Sequence, residues 1–270
     1  MITKRLIACF DVMNGRVTKA QNFQDNIDID DAEVIAEKMY NDQIDEIVFY
    51  DITASLQKRP TDLDTVRRVA KKVFVPFTVG GGISSLNDMY EVLKAGAEKI
   101  SIDSMAVRKP SIITEGALAF GKQCIVLSMQ VKNVGKSNKI PSGYEIAIDG
   151  ARVFTGMDAV EWAIRGEGLG AGEICVNSID GDGTHAGYDI EITSQIATAV
   201  NIPVIASGGA GNPKHLVDVF TKTDVSAAII SSMLYSPRIK RNYSVKEIKE
   251  KLSLSNVPIR PWIIDYTISI

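Results

Sequence analysis

The sequence predicts a single (β/α)8 barrel, a TIM barrel with a twofold internal repeat. Three observations predict it. Eight short runs rich in Val, Ile, Phe and Ala recur at about residues 4–10, 46–51, 74–79, 97–102, 123–129, 172–179, 202–206 and 225–231. They are continuously apolar rather than alternating, as parallel strands covered on both faces are. Helical patterns separate them in strict alternation, and 270 residues is a typical length for such a barrel. The chain also repeats itself. Asp51 ends "EIVFYD" and Gly80 follows 29 residues later, while Asp180 ends "ICVNSID" and Gly208 follows 28 later. Gly80 to Ser104 and Gly208 to Ser232 are both 24 residues, and "ISIDSMAV" answers "AIISSMLY". A repeat of this size implies two half-barrels, about 1–121 and 122–252, within one domain over 1–260.

The elements follow in order. "LIACFDVMNGR" is a strand that ends on Asp11. In "DDAEVIAEKMY", Val34, Ile35, Lys38 and Met39 share a helical face and Asp30 or Asp31 caps it. "TDLDTVRRVAKK" starts with a capping Thr61 and repeats Leu63, Val66 and Ala70. "CIVLSMQVK" is the strand that opens the second half, with Gln130 where the first strand has Asp11. Residues 131–155 read as a long hairpin. "NPKHLVDVF" places Asn212 as cap and Pro213 at the first helical position, where its missing N–H costs little. "YSVKEIKEKL" closes the series, and residues 261–270, "PWIIDYTISI", form an apolar tail that reads as a strand or docking segment.

Composition excludes several classes. The net charge of −3, with no Lys/Arg block, is no nucleic-acid footprint. No apolar stretch reaches the roughly 18 residues of a membrane span. "MITKRLIACFD" meets an acid too early for a signal peptide. Cys9, Cys124 and Cys175 lie in apolar runs without C-x-x-C spacing, which reads as buried, reduced thiols in a cytoplasmic protein. No metal-ligand spacing or cofactor motif occurs. His185 falls near the expected mouth, and His215 reads as a helix-surface residue.

Barrel enzymes carry their reacting groups at the C-terminal ends of the strands. Asp11, Asp51, Gln130 and Asp180 fall there, although Asp51 and Asp180 also precede turn-like "ITAS" and "GDGT" and can serve as loop caps. "GGG" after the third run and "SGGAG" after the seventh let the backbone approach an anion. Ser104, Ser231 and Ser232 add hydroxyls near helix starts. The matched pair points to a ligand with a phosphate at each end. At the opposite ends of the strands stand Arg5, Glu46, Lys99 and Glu173, two charges of each sign, able to form a ring across the floor.

"KRLIACFDVMNGRVTKAQNF", "DEIVFYDITAS", "PFTVGGGI", "AGEICVNSIDGDGTHAGYD" and "IPVIASGGAG" together resemble the HisF-like family, the cyclase subunit of imidazole glycerol phosphate synthase. The resemblance implies a barrel that receives ammonia through its floor from a HisH-like glutaminase. At the rim the ammonia reacts with a ribulosyl aminoimidazole carboxamide nucleotide carrying two phosphates. The products are imidazole glycerol phosphate and an aminoimidazole carboxamide ribotide. By position, Asp11 matches a catalytic acid or base and Lys19 a lysine of the first loop. Gly82 and Ser104 match one phosphate site, and Asp182, Gly183, Gly209, Ser231 and Ser232 lie at or beside the other. Arg5, Glu46, Lys99 and Glu173 match the ammonia gate.

Three departures stand out. The family's second catalytic carboxylate falls on Gln130, an amide with no useful pKa. Asp103 stands where a neutral Asn is usual, beside a phosphate. The first loop, "NFQDNIDIDD", holds Asp25, Asp28, Asp30 and Asp31, which disfavour an anionic substrate. A matched gate with an altered rim implies a paralogue that still channels ammonia, for amidation of surface-polysaccharide sugars alongside a third, sugar-amidotransferase protein. The alternative is the histidine-pathway cyclase itself.

Overall fold

The computed structural model describes residues 2–21, 24–55, 57, 59–237 and 239–263. The first half runs β1 (Arg5–Met13), β2 (Arg16–Gln21), β3 (Gln24–Asp31), α1 (Ala32–Asn41), β4 (Glu46–Asp51), α2 (Leu63–Ala70), β5 (Phe77–Gly80), α3 (Leu86–Lys94), β6 (Lys99–Ile102), α4 (Ser104–Arg108) and α5 (Ser111–Phe120). The second half runs β7 (Ile125–Asn133), β8 (Tyr144–Ile148), β9 (Val153–Asp158), α6 (Ala159–Leu169), β10 (Glu173–Ser178), α7 (Ile190–Ala199), β11 (Val204–Ser207), α8 (Pro213–Lys222), β12 (Ala227–Ile230), α9 (Ser232–Tyr235) and α10 (Val245–Leu254). Strands β1, β4, β5, β6, β7, β10, β11 and β12 pair in parallel, and β12 returns to β1. The closed barrel is the predicted (β/α)8 fold.

Closure creates two apolar layers from each strand, because successive side chains point to opposite faces. Along β1, Leu6, Ala8, Phe10 and Val12 join the core between sheet and helices. Ile7 and Cys9 join a separate cluster with Val48, Val126, Cys175, Ile205 and Ile229 inside the barrel. The inward parity therefore runs Arg5, Ile7, Cys9, Asp11 from floor to rim. The same alternation puts Glu46, Val48 and Tyr50 inside β4; Lys99 and Ser101 inside β6; and Val126, Ser128 and Gln130 inside β7.

Several local expectations need correcting. The acidic stretch read as the first loop is largely strand. β2 folds back on β1 and β3 on β2, with Arg16 pairing with Asp28 at 2.5 Å and Asp31 at 2.7 Å. The side chain of Asp25 lies outside the described residues. The cap of α2 is Asp62, which accepts the Thr65 N–H, and not Thr61. Lys122–Cys124 is a turn of 3-10 helix, so β7 starts only at Ile125 and Cys124 is half-buried, unlike Cys9 and Cys175. The long hairpin is real: β7 continues antiparallel to β8, and β8 to β9. Part of the tail is placed as well. Just ahead of it Lys4 bridges to Ile259, and within it the backbone of Ile263 exchanges hydrogen bonds with the Gln43 side chain. Residues 264–270 lie outside the described residues. Among the described residues no helix is long and apolar enough to cross a membrane.

Candidate active site

The rim is organised around Asp11. Its strand turns at Asn14 and Gly15, and β2 returns antiparallel, pairing Thr18 with Asp11. That register brings the Lys19 ammonium to 2.6 Å from an Asp11 oxygen. Burial opposes the lysine's charge, but the Asp11 carboxylate, with smaller contributions from Tyr235 and Cys9, raises its pKa above the ordinary value. Asp182, from the loop after β10, shares this corner. Burial pushes its carboxyl up, Lys19 pulls it down, and Asp11 pushes it up again. Ser231 Oγ donates to the Cys9 carbonyl at 3.1 Å and lies 2.8 Å from the Tyr235 hydroxyl, which donates to the same carbonyl at 2.5 Å. Ser232 is buried at the start of α9.

Across the barrel stands a further carboxyl. Asp103 immediately follows β6 and keeps the inward parity of Lys99 and Ser101. Its Oδ2 accepts from Gln130 Nε2 at 3.2 Å. Burial pushes the Asp103 carboxyl up to about 7. The Gln130 hydrogen bond and Arg108 act against the rise, and Asp149 adds to it. Asp149 comes from the turn between β8 and β9. Its N–H donates to Ser104 Oγ at 2.9 Å, and its carboxylate is ion-paired with Arg108. The hairpin thus lies against the corner where Ser104 was expected to meet a phosphate.

Asp51 and Asp180 are placed differently. Asp51 has the outward parity of Ile47 and Phe49 and is buried. It is bidentate to Arg59 at 2.6 and 2.9 Å and accepts the N–H groups of Thr53, Ala54 and Asp62, which organises its own loop. Asp180 accepts the Asn133 N–H at 2.8 Å and is ion-paired with Lys132, tying β10 to the hairpin. For both, the loop-cap alternative describes the geometry.

The glycine loops also have a packing reason. A Cβ at Gly209 would lie 1.9 Å from the Gly187 carbonyl oxygen, and one at Gly82 would lie 2.6 Å from Ala54 Cβ; both glycines have positive φ. Gly208 is likewise at φ +89°, where a Cβ would press on the Ser178 carbonyl, whereas Gly183 faces open space. His215 is no plain surface residue. Its Nδ1 accepts the Gly211 N–H at 3.1 Å and so pins the second glycine loop. His185, also in that region, is left-handed at φ 57°.

The floor is a closed ring of four ions. Arg5 contacts Glu46 at 2.6 Å and Glu173 at 2.7 Å, and Lys99 contacts each of the two glutamates at 2.8 Å. Burial opposes the Arg5 charge, but the two carboxylates raise its pKa. Above the ring, Ile7, Val48, Val126 and Cys175 line a narrow space with Tyr50. The Tyr50 hydroxyl lies 3.3 Å from Ser101 Oγ, and its ring fills the room left by Gly80. Tyr50, Arg59, Asp149 and Tyr235 were not singled out from the sequence. Inward parity would have found Tyr50; the others owe their places to contacts between distant segments. Among the described residues no group of three or more His, Cys, Asp or Glu is placed to hold a metal.

Comparison with known proteins agrees with this architecture. A family model described as "Histidine biosynthesis protein" matches residues 5–240. The imidazole glycerol phosphate synthase subunit HisF of Desulfatibacillum aliphaticivorans is 55% identical over 260 residues, covering 96% of this chain and 98% of the relative. The HisF subunit of Syntrophobacter fumaroxidans is 53% identical over 260 residues, covering 96% and 99%. That of Nitratidesulfovibrio vulgaris is 53% identical over 253 residues, covering 94% and 96%.

Proposed function

This chain belongs to the histidine biosynthesis protein family, and on that premise we propose that it is the cyclase barrel of an imidazole glycerol phosphate synthase, fed with ammonia by a HisH-like glutaminase docked on its floor. One observation carries the reading: a single inward file of side chains leads from a closed charge ring to a carboxylate at the rim. The ring keeps bulk water and ions out while it is shut. Ammonia is small and neutral, so it crosses an apolar interior with less desolvation cost than ammonium. Lys99 is the natural moving part. It is a flexible point charge held by two bridges, whereas Arg5 is a planar fork. At the rim, Asp11 with Lys19 holds a charged pair against the reacting groups, and Ser231, Gly208 and Gly209 border the corner suited to one phosphate.

The sugar-amidation reading drew on Gln130 standing where a carboxylate was expected. The relatives named above are synthase subunits, and Asp103 beside Gln130 returns a second carboxyl to the mouth, so the cyclase is the better-supported reading. The test is direct. Purified protein given the diphosphate nucleotide and ammonium should form imidazole glycerol phosphate; no product at any ammonium concentration refutes the cyclase. With a HisH-like glutaminase and glutamine in place of ammonium, Lys99→Ala should lower product formed per glutamine hydrolysed by at least severalfold. It should leave the ammonium-driven rate nearly unchanged. Equal coupling in the variant and the parent would remove the gate.

A further inference from the structure

We propose that Asp103 is the proton donor of this mouth, the counterpart of Asp11, and that Gln130 is the residue that positions it. The proposal rests on the cyclase reading and adds to it the identity of the acid.

The geometry carries the assignment. Asp103 follows Lys99 and Ser101 on the inward parity, so its carboxyl enters the mouth. In the strand order, β6 lies three strands from β1 and β7 lies four, so Asp103 and Gln130 stand across the opening from Asp11. Asp103 is the residue before α4, yet its side chain makes no capping bond there. The contrast with Asp62, Asp158 and Asp189, which do cap their helices, is clear. The Asp103 carboxyl is therefore available for chemistry. The Gln130 amide holds one oxygen at 3.2 Å, and among the described residues the other has no hydrogen-bond donor. Among the described residues no cation bonds to it: Arg108 is engaged by Asp149. Asp11, in contrast, is bonded to the Lys19 ammonium.

The groups facing Asp103 pull in opposite directions. Burial and the Asp149 carboxylate from the hairpin turn favour the protonated carboxyl, while the hydrogen bond from the neutral Gln130 of β7 and the Arg108 charge of α4 favour the carboxylate; the thiol of Cys175 on β10 is buried and uncharged. Burial places the carboxyl near neutrality, where a general acid is both protonated and willing to give its proton up.

The step balances without further reagents. As the ring closes, the nitrogen delivered as ammonia bonds to the carbon that carries the departing aminoimidazole carboxamide. The bond from that carbon to the departing nitrogen breaks, its electron pair stays on that nitrogen, and the Asp103 proton joins it. The incoming nitrogen sheds a proton as it becomes part of the ring, and the Asp103 carboxylate takes it up. Loss of the carbonyl oxygen as water, with hydrogens from the same ammonia, is left to the Asp11 side.

The experiment compares the parent, Asp103→Asn, and Asp103→Asn/Gln130→Asp, the last returning a carboxyl to the neighbouring inward position. Product formation from the diphosphate nucleotide and ammonium is measured from pH 5.5 to 9. Asp103→Asn should lose about 10²–10⁴-fold in kcat, and the double variant should recover most of it. The parent's kcat should fall as pH rises past about 7, and Asp103→Asn should lack that limb, which a merely structural residue would not remove. Asp103→Asn within threefold of the parent, or with an unchanged alkaline limb, overturns the assignment. An inactive parent with an active double variant also overturns it while leaving the cyclase scaffold intact. Inactivity of all three defeats the cyclase reading and the assignment with it.

Discussion

Replacing Lys249 by Met should weaken the fold by about 3–5 kcal/mol, the cost of leaving one member of a buried ion pair alone. The geometry behind the figure is complete. Lys249 in α10 donates to Asp45 Oδ1 and to the Gln43 carbonyl, each at 2.7 Å, and the other Asp45 oxygen accepts the Leu6 N–H at 2.9 Å. Both side chains are buried. The last helix is thereby fastened to the start of β4 and to β1, at the seam where the two ends of the chain meet. Met keeps the apolar stem, so the loss is electrostatic and not a cavity. Asp45 would retain one donor and the Gln43 carbonyl would lose its own. At about 2–4 °C per kcal/mol for a chain of this order of size, the melting midpoint should fall by roughly 6–20 °C. The assay is thermal and urea unfolding followed by circular dichroism, with turnover measured well below the lower midpoint. Turnover should not change, because the pair lies at the floor end. Adding Asp45→Asn should return part of the stability, since no buried charge then stands unpaired. A single-variant loss under 1 kcal/mol, or a double variant as weak as the sum of its parts, would refute the reasoning.

Two further outcomes follow from the hairpin and the second glycine loop. Asp158, buried, accepts the N–H groups of Ser142 at 2.8 Å, Val160 at 2.9 Å and Glu161 at 3.1 Å, so it both caps α6 and fastens the hairpin. Asp158→Ala should cost about 2–3 kcal/mol by chemical denaturation, above the usual ~1 for a cap, because a third donor is orphaned; a loss below 0.5 kcal/mol would show that water replaces the carboxylate. His215→Ala should cost about 1 kcal/mol near pH 8 through the Gly211 contact. Burial lowers the His215 pKa, so its contribution is present above the unfolded value of about 6.5 and is lost as pH falls below it. The stability gap between parent and variant should therefore narrow between pH 7 and 5; a constant gap would be the contrary result.

The barrel was legible because its signal is local. Eight apolar runs separated by amphipathic stretches state the strand count, and the glycine and serine spacings state the repeat. The four floor charges were legible too, as charges leading apolar runs. The rim was read less well. Asp11, Asp51 and Asp180 look alike in the sequence, each an acid closing an apolar run. Strand parity separates two of them: Asp11 follows Arg5, Ile7 and Cys9 inward, whereas Asp51 follows Ile47 and Phe49 outward to Arg59. Asp180 lies past the end of β10, where the Asn133 N–H and Lys132 claim it. A parity count from the floor charges upward would also have led from Lys99 to Asp103.

By itself, then, the sequence determined the architecture, the floor and the place of Asp11, because hydrophobic periodicity and strand alternation act over a few neighbouring residues. Only the tertiary structure decided which acids face the mouth freely and in what state. Asp103 reads as a charge that would repel a phosphate. In the fold burial and the Asp149 carboxylate push its pKa up to about 7, against the hydrogen bond from Gln130, 27 residues away. Distances of that kind exist only once the sheet has closed.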